Sequence, residues 1–415
     1  MSVDFQKLAA GFPGESEDKK TGSGAPGELC GGGGRADELA VGLWPLAYGL
    51  FLQPKAKSQK PKAKSQHLLI LTPGFPNDES DTTCVPYIQS LVRQLHEDSG
   101  WKISVITFQY PYQEKNYHWY DLEVYSAGGK NLRFPGKLRT WTKVWRKIKA
   151  IHKQNPVSII HSFWLGETAL LGKIAEKRLH IPHVCTLMGQ DVKKSNVYLK
   201  KPFFQSIPLV AVSRFHAITF EKNTGEPVSN IIPLGIHPGN FPPLNLSERK
   251  IDILGVGGQI ALKNYQLFIH IVKKLVQDFP NLNCVIIGEG PLTSYHQKLI
   301  QDLSLESHIQ LTGMLPREEV FQYMNQSRIL LHPSTFESFG FVFLEALYSG
   351  MSVVSFPVGA AQNGEKWKVA QNESEMYQQL VDLLREKPNY QRAEVSNMTD
   401  AARAYVEQYQ TLIEK

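Results

Sequence analysis

Residues 332–350 read HPSTFESFGFVFLEALYSG, and no other stretch of the chain says more about its architecture. It follows the run Arg328–Leu331, which is typical of a buried strand, and it opens a predicted helix near Gly340 or the residue before it. Two carboxylates, Glu337 and Glu345, stand beside the helix start with seven residues between them. Glycine lets a ligand approach the backbone, and a helix N-terminus offers free N–H groups to a phosphate. The pattern favours a unit that binds a phosphorylated, hydroxyl-rich ligand. The alternative is a capped helix with Glu337 on its first turn and Glu345 in a surface ion pair.

Short apolar runs alternate with helix-length segments on both sides of this unit. They are His67–Leu71, Ile103–Phe108, Ser158–His161, His183–Met188 and Leu209–Val212, then Asp252–Val256, Asn283–Ile287, Ile309–Leu311, Arg328–Leu331 and Ser352–Phe356. This alternation predicts two parallel sheets, each covered by helices on both faces. The four prolines of Pro233–Leu246 indicate a linker between them. We therefore expect a lobe at 67–235, a linker at 236–250, a second lobe at 251–398 and a C-terminal helix at 399–415, with a cleft at the carboxyl ends of the strands.

The motif Glu337-x7-Glu345, preceded by Pro333-Ser334, resembles the retaining glycosyltransferases of family 4, also called group 1, which have the GT-B fold. The segment VIIGEGP at Val285–Pro291 resembles the family's strand and Gly-x-Gly-Pro turn, and ILGVGGQIALKN at Ile253–Asn264 resembles its diphosphate loop. The resemblance covers roughly residues 67–384. It implies an α/β fold of two Rossmann-like lobes facing a central cleft. It also implies transfer of a sugar from a nucleotide sugar to a glycan or lipid-linked acceptor.

The same resemblance implies roles for individual residues. Glu345 would bind the donor ribose, Glu337 would lie beside the transferred sugar, and Lys263 would neutralise the departing diphosphate. For Lys263 the alternative is a solvated loop lysine. Further donor contacts are implied for Ser338, Phe339, Gly340, Phe341, Gly288 and, more loosely, Gly74. No metal and no cofactor besides the nucleotide-sugar co-substrate are expected, because Lys263 and helix N-termini stand where a cation would act.

Some positions depart from the family pattern. Gly258 stands where the family usually has an arginine, and Phe163 and Met188 stand where many relatives have histidines. His161 and Asp191 follow two predicted strands, so we expect them to bind the acceptor; the alternatives are a hydrogen-bonded core histidine and a helix cap. The departures leave open a non-catalytic partner subunit that binds a nucleotide sugar. The fold also leaves open a nucleotide-sugar epimerase.

Positive charge is concentrated in one part of the chain. Nine lysines and arginines and no acidic residue occur between Val124 and Gly166, although the whole chain has a net charge of only +6. Residues 137–152 place tryptophans and aliphatic residues at helical spacing, with cations between them. Such a helix fits an anionic membrane surface; the alternative packs the apolar stripe on the sheet. Nucleic acid is not an expected partner, because no stacking motif accompanies the charge.

Composition excludes several classes of protein. The 415 residues are 42% hydrophobic and 20% charged, which rules out wholesale disorder. Four widely spaced cysteines argue against a disulfide framework and favour a reducing compartment, so we expect a cytoplasmic location. Peripheral contact at the cytoplasmic face of a membrane would come through residues 137–152. Residues 1–66, with a four-glycine run and a repeated PKAKSQ, predict a flexible extension. The apolar stretch Leu39–Leu52 is too short to span a bilayer.

Overall fold

The structure is a computed structural model that describes residues 66–133, 135–199, 203–228, 230–247 and 249–414. The predicted extension, apart from Gln66, and the apolar stretch Leu39–Leu52 lie outside these residues. Within them, the predicted pair of parallel α/β lobes is confirmed. None of the described helices combines the length and the apolar character that crossing a bilayer requires.

The first lobe is built on eight strands. They are β1 (His67–Gly74), β2 (Lys102–Tyr110), β3 (Lys115–Trp119), β4 (Leu122–Ser126), β5 (Ile159–Phe163), β6 (His183–Thr186), β7 (Leu209–Ala211) and β8 (Asn230–Ile231). The sheet order is β3-β4-β2-β1-β5-β6-β7-β8, and every pair is parallel except β3 with β4. The sequence pattern did not predict the β3–β4 hairpin. Its outer strand carries mostly exposed and half-buried side chains at the sheet edge, so no apolar run marks it.

Helices cover both faces of this sheet: α1 (Pro86–Ser99), α2 (Lys137–Gln154), α3 (Glu167–Leu179) and α4 (Arg214–Thr224). Alternate side chains of β1 enter different clusters. Leu68 and Ile70 pack in the cluster that contains α1, whereas Leu69 and Leu71 pack in the cluster that contains α2 and α3. Because both faces are covered, β1 is apolar along nearly its whole length, as expected for a central parallel strand.

The second lobe is built on six parallel strands. They are β9 (Ile251–Val256), β10 (Cys284–Ile287), β11 (Ile309–Gly313), β12 (Ser327–His332), β13 (Ser352–Ser355) and β14 (Trp367–Val369), in the order β11-β10-β9-β12-β13-β14. Its helices are α5 (Tyr265–Leu275), α6 (Thr293–Asp302), α7 (Arg317–Asn325), α8 (Phe341–Tyr348) and α9 (Glu373–Arg385). The five strands predicted here are all present. The three-residue edge strand β14 was not predicted, because it is too short to give a pattern.

The last helix, α10 (Met398–Ile413), returns to the first lobe and packs on α1. The chain thus passes between the lobes twice, and the two passages run side by side. The Ile236 amide donates to the Ser396 carbonyl at 3.1 Å, and the Met398 amide donates to the Ile236 carbonyl at 2.8 Å. A Cβ on Gly235 would collide with the Asn397 carbonyl. We call these paired segments the double crossing. The predicted C-terminal helix therefore completes the first lobe.

Candidate active site

A cavity of about 740 Å³ lies between the lobes, at the carboxyl ends of the second-lobe strands. This is the place where the strand–helix alternation predicts a cleft. The second lobe lines it with the turns after β9, β10 and β11 and with side chains of α7 and α8, and the first lobe contributes the loop before α1. The lining includes Gly257, Gly258, Gly288, Glu289, Gly290, Pro291, Met314, Leu315, Arg317, Glu345, Thr82, Thr83 and Pro86.

The floor of the cavity is formed by two glycine turns in close contact. Gly288 has a φ of +129°, and a Cβ placed on it would collide with the Gly257 carbonyl oxygen. The Gln259 side chain donates to the Gly288 carbonyl at 2.9 Å and is itself paired with His296 at 2.7 Å. The turn after β9 is therefore locked to the turn after β10. Only glycine at position 288 permits this approach.

Replacing Gly288 by alanine is expected to lower the free energy of unfolding by about 2–4 kcal/mol, since the methyl group adds backbone strain and a clash in a packed region. Urea unfolding followed by tryptophan fluorescence measures this. Gly364→Ala is the matched control: a Cβ there meets nothing within 4 Å, and the backbone is not left-handed. Equal urea midpoints for the two variants would contradict the close approach.

Lys263, Glu337 and His332 form one hydrogen-bonded group beside the cavity. The Lys263 ammonium and the His332 Nε2 both bond to Glu337 Oε1, at 2.5 and 2.8 Å. The Lys263 side chain also lies against Gly257, which lines the cavity; its Cε is 3.2 Å from where a Cβ on that glycine would be. The Leu262 carbonyl accepts hydrogen bonds from the loop just before Glu337, so the lysine turn and this loop hold each other in place.

The protonation states in this group follow from burial and charge. Burial alone raises the pKa of the Glu337 carboxyl, but the Lys263 ammonium and the His332 hydrogen bond dominate and hold that pKa well below its usual range. Burial and the nearby Lys263 charge lower the pKa of His332. At neutral pH the group is therefore an ionised carboxylate, a charged lysine and a neutral imidazole that donates from Nε2. Its net charge is zero.

Glu345 lies on α8 with its side chain only 10% exposed, and it pairs with Arg317 of α7 at 2.5 Å. Burial raises the pKa of the Glu345 carboxyl, and the Arg317 charge opposes that shift. Both side chains line the cavity. A carboxylate there can accept hydrogen bonds from the hydroxyls of a ligand.

The loop between β12 and α8 is held from both lobes. Gly340 has a φ of +79° and stands directly before α8, and the buried Phe339 precedes it. From the first lobe, the Ser213 hydroxyl donates to the Ser338 carbonyl at 2.5 Å. Phe341, the first residue of α8, contacts the Arg317 guanidinium with its ring. The predicted donor-binding residues of this loop thus lie where the two lobes meet.

The predicted acceptor residues of the first lobe are placed in the core. His161 is fully buried, and its ring nitrogens bond to the Tyr409 hydroxyl at 2.6 Å and the Thr186 hydroxyl at 2.8 Å. Burial lowers the pKa of His161 well below its usual value. His161 is thus placed as a hydrogen-bonded core histidine, which was the alternative to an acceptor-binding residue. The reason is that α10 covers the strand end that was expected to face the cleft.

Asp191 and Gly74 are also held by their own lobe. The buried Asp191 carboxylate accepts hydrogen bonds from the backbone amides of Leu165 at 2.9 Å and Gly189 at 2.7 Å, so it joins two loops at the strand ends. Gly74 ends β1, and its carbonyl accepts from Thr72 at 3.0 Å. The first-lobe residues that do line the cavity are Thr82 and Thr83 of the following loop and Pro86, the first residue of α1.

Two charged or polar partners in the site were not predicted. Arg317 pairs with Glu345, and His332 pairs with Glu337. His332 stands at the end of a predicted strand, directly before Pro333, which is a position that could have marked it. Arg317 follows Pro316 at a helix start and carries no comparable signal, since its partner is 28 residues away.

Comparison with known proteins adds sequence relationships. The family "Glycosyl transferases group 1" matches residues 239–403, and "Glycosyl transferase 4-like domain" matches residues 82–218. An uncharacterized glycosyltransferase of Methanocaldococcus jannaschii is 26% identical over 218 residues, 51% of this chain and 59% of that protein. The GPI3 subunit of the phosphatidylinositol N-acetylglucosaminyltransferase of Saccharomyces cerevisiae is 27% identical over 140 residues, 32% of this chain and 31% of that protein. These matches span less than two thirds of each relative's length.

Solved structures are similar over a larger share of the chain. Sucrose-phosphate synthase from Thermosynechococcus elongatus has a TM-score of 0.64 at 16% identity, covering 84% of this chain and 95% of that one. Anabaena HepE, in complex with UDP and glucose, has a TM-score of 0.57 at 15% identity, covering 84% and 95%. At such identities the likeness shows the fold, which is GT-B. With one family matching each lobe and both lobes in the GT-B arrangement, the chain belongs to the group 1 glycosyltransferases of family 4.

Proposed function

We propose that the protein transfers a sugar from a nucleotide-sugar donor to an acceptor hydroxyl with retention of the anomeric configuration. The observation that carries this proposal is the pairing of Lys263 with Glu337 beside a cavity that Glu345 lines. A cation, an ionised carboxylate and a second carboxylate are the groups that a leaving diphosphate, a sugar and a ribose require. The binding of UDP and glucose by HepE, which has the same fold, supports a nucleotide-sugar ligand.

In the proposed reaction the bond between the anomeric carbon and the diphosphate oxygen breaks, and a bond to the acceptor oxygen forms on the same face. The acceptor proton passes to the departing phosphate. Lys263 stabilises the charge that grows on the diphosphate as the bond breaks. Glu337, ionised and held by His332, keeps the lysine aimed at the cavity.

We further propose that the transfer needs no divalent metal, since Lys263 supplies positive charge at the leaving group. Among residues 66–414, apart from the short undescribed gaps, no three His, Cys, Asp or Glu side chains converge on a common metal position. The proposal predicts that chelation with EDTA leaves the initial rate unchanged. A rate that falls on chelation and returns with Mg²⁺ or Mn²⁺ would overturn it.

The charged helix α2 shows which of its faces is available to a partner. Val144 and Ile148 are buried, and Trp141 packs inward and donates to Glu167 at 2.7 Å. The apolar stripe of α2 therefore packs on the lobe, so the tryptophans do not form a membrane face. The outward face carries the exposed residues Leu138, Arg139, Arg146, Lys149 and Lys153.

We propose that this outward face contacts an anionic membrane surface on the cytoplasmic side, where a lipid-linked acceptor would lie. Four cations on one face are worth about 1 kcal/mol each near such a surface. Sedimentation with phosphatidylcholine vesicles, with and without phosphatidylglycerol, tests this. Changing the four cations to glutamine should abolish binding to the anionic vesicles, whereas changing the exposed Lys177 and Arg178 of α3 should not. Equal binding by both variants would contradict the proposal.

The activity itself is tested by nucleotide release from UDP-, GDP- and ADP-sugars, with and without extracted lipid-linked acceptors. Acceptor-dependent release from one donor, with the sugar recovered on the acceptor, is the expected result. Release of a free altered sugar without acceptor would indicate an epimerase. Binding without turnover under every condition would indicate a non-catalytic partner subunit. NMR of the product establishes whether the configuration is retained.

A further inference from the structure

Arg317 occupies a confined position in the wall of the cavity. Its side chain is only 17% exposed, and its guanidinium lies 5.0 Å from the ring centre of Phe321 and 5.3 Å from that of Phe341. Nη2 donates to Glu345 Oε1 at 2.5 Å. Within the described residues Arg317 is the one side-chain partner of Glu345. The second carboxylate oxygen therefore has no partner there.

The helices explain why the guanidinium cannot easily move. Arg317 and Phe321 are four residues apart on α7, and Phe341 and Glu345 are four residues apart on α8, so each pair lies on one face of its helix. The guanidinium sits between the two aromatic rings and is fixed by both. Its remaining freedom is small, so the carboxylate that it holds is fixed as well.

We propose that Arg317 is a positioning residue for the ribose site: it holds Glu345 as a carboxylate, with one oxygen bonded and the other available to a ribose hydroxyl. This inference rests on the proposed function, because it takes a nucleotide as the ligand. A protonated Glu345 would present an O–H donor or a weaker acceptor, and a mobile one would have to be ordered at each binding event. Arg317 removes both problems.

The charged and titratable groups around Glu345 are few. Arg317 faces it from α7, Glu289 lies on the same cavity wall after β10, and His332 lies at the end of β12 behind Phe343. The first lobe contributes only Thr82, Thr83 and Pro86 to this cavity, and β13 has no titratable residue. Burial disfavours the ionised form of Glu345, and Arg317 is the cation that opposes it.

The test is the affinity of Arg317→Met for the nucleoside diphosphate that the wild-type protein binds best among UDP, GDP and ADP, measured by calorimetry from pH 6 to pH 9. Methionine keeps much of the packing between the rings and removes the charge. We expect the wild-type affinity to change less with pH than that of the variant, because the Arg317 charge opposes the rise that burial causes in the pKa of Glu345. The variant should bind at least about 10-fold more weakly at pH 7 and recover part of this loss as pH rises to 9, because a higher pH favours the ionised carboxylate once the opposing Arg317 charge is gone.

Two further measurements separate positioning from mere packing. The wild-type preference for the nucleotide over its 2′-deoxy analogue should shrink in Arg317→Met, and Arg317→Lys should restore the pH profile of the wild type. In the double variant Arg317→Met/Glu345→Gln, the Glu345→Gln change should lower the affinity for the nucleoside diphosphate little beyond the loss that Arg317→Met causes alone. The matched control is Arg328→Met, which breaks a similar pair with Asp252 (3.0 Å) near the amino ends of β9 and β12, at the far end of the strands from the cavity, and should leave the affinity unchanged.

A loss of affinity that is equal at every pH, with the 2′-hydroxyl preference intact, would overturn the inference, and so would wild-type affinity in Arg317→Met. Failure of the wild-type protein to bind any of the three diphosphates would instead count against the proposed function. The two failures are therefore distinguishable.

Discussion

Lys263→Met is expected to lower kcat by about 100- to 1,000-fold, the loss typical of removing one group that stabilises charge in a transition state. In the free enzyme the Lys263 ammonium is paired with Glu337, so it is already oriented before a donor arrives. Negative charge on the leaving diphosphate grows as its bond to the sugar breaks. The lysine therefore binds the transition state more strongly than the donor, and kcat should fall more than the donor KM rises.

The measurement is a steady-state rate series with the donor that the wild-type protein uses. Lys273→Met is the matched control, because that lysine belongs to the same lobe and, among the residues that the structure describes, bonds only to the Leu303 carbonyl, at 2.8 Å. Its kcat should stay within about 2-fold of the wild-type value, as is usual for surface substitutions away from a site. A kcat of Lys263→Met equal to the wild-type value would show that Lys263 does not stabilise the transition state.

Glu337→Gln is expected to lower kcat by about 100-fold. Without the carboxylate that holds it, the Lys263 ammonium can shift by about 1 Å, and a misplacement of that size typically costs about this factor in rate. The change should also lower the free energy of unfolding by about 1–3 kcal/mol at neutral pH, since a half-buried ammonium loses a charged hydrogen-bond partner. Urea unfolding of the two proteins measures the second effect. Asp252→Asn, which breaks the pair with Arg328, is expected to change stability without changing kcat.

The stability effect has a defined pH dependence. The pKa of Glu337 is lower in the folded protein than in the unfolded chain. The ionised Glu337 carboxylate therefore makes its full contribution to the free energy of unfolding above the pKa of about 4.3 that it has in the unfolded chain. This contribution is lost as pH falls towards the lower pKa of the folded protein. The difference in unfolding free energy between wild type and Glu337→Gln should stay constant from about pH 8 to about pH 5.5 and shrink below about pH 4.3. A difference that grows on acidification would contradict an ionised Glu337.

The parts of the fold that repeat a local pattern could be predicted from the sequence. Ten strands could be predicted because their sequences are short apolar runs, since both faces of a parallel sheet are buried. The spacing of Glu337 and Glu345 indicated one strand–loop–helix unit. The β3–β4 hairpin gave no such run because it lies at a sheet edge. The sequence therefore indicated the second lobe, where these motifs lie, more fully than the edge of the first.

The surroundings of individual side chains could not be predicted in the same way. His161 follows a strand and was expected at the cleft, but its partner Tyr409 is 248 residues away on α10. Arg317 and Glu345 meet because α7 and α8 pack side by side, which no local pattern reports. Gly258 stands in the diphosphate loop where the family pattern has an arginine, so that cation is missing there. Arg317 places a different cation in the lining of the same cavity.

The double crossing has a consequence for the order in which the protein folds during synthesis. Tyr405 and Tyr409, which α10 contributes to the first-lobe core, leave the ribosome after the whole second lobe. Until then the strand end at His161 lacks its cover and its hydrogen-bond partner. The first lobe therefore completes its core last, although most of it is synthesised first, and a ribosome that stalls within the second lobe leaves an apolar surface for chaperones to bind.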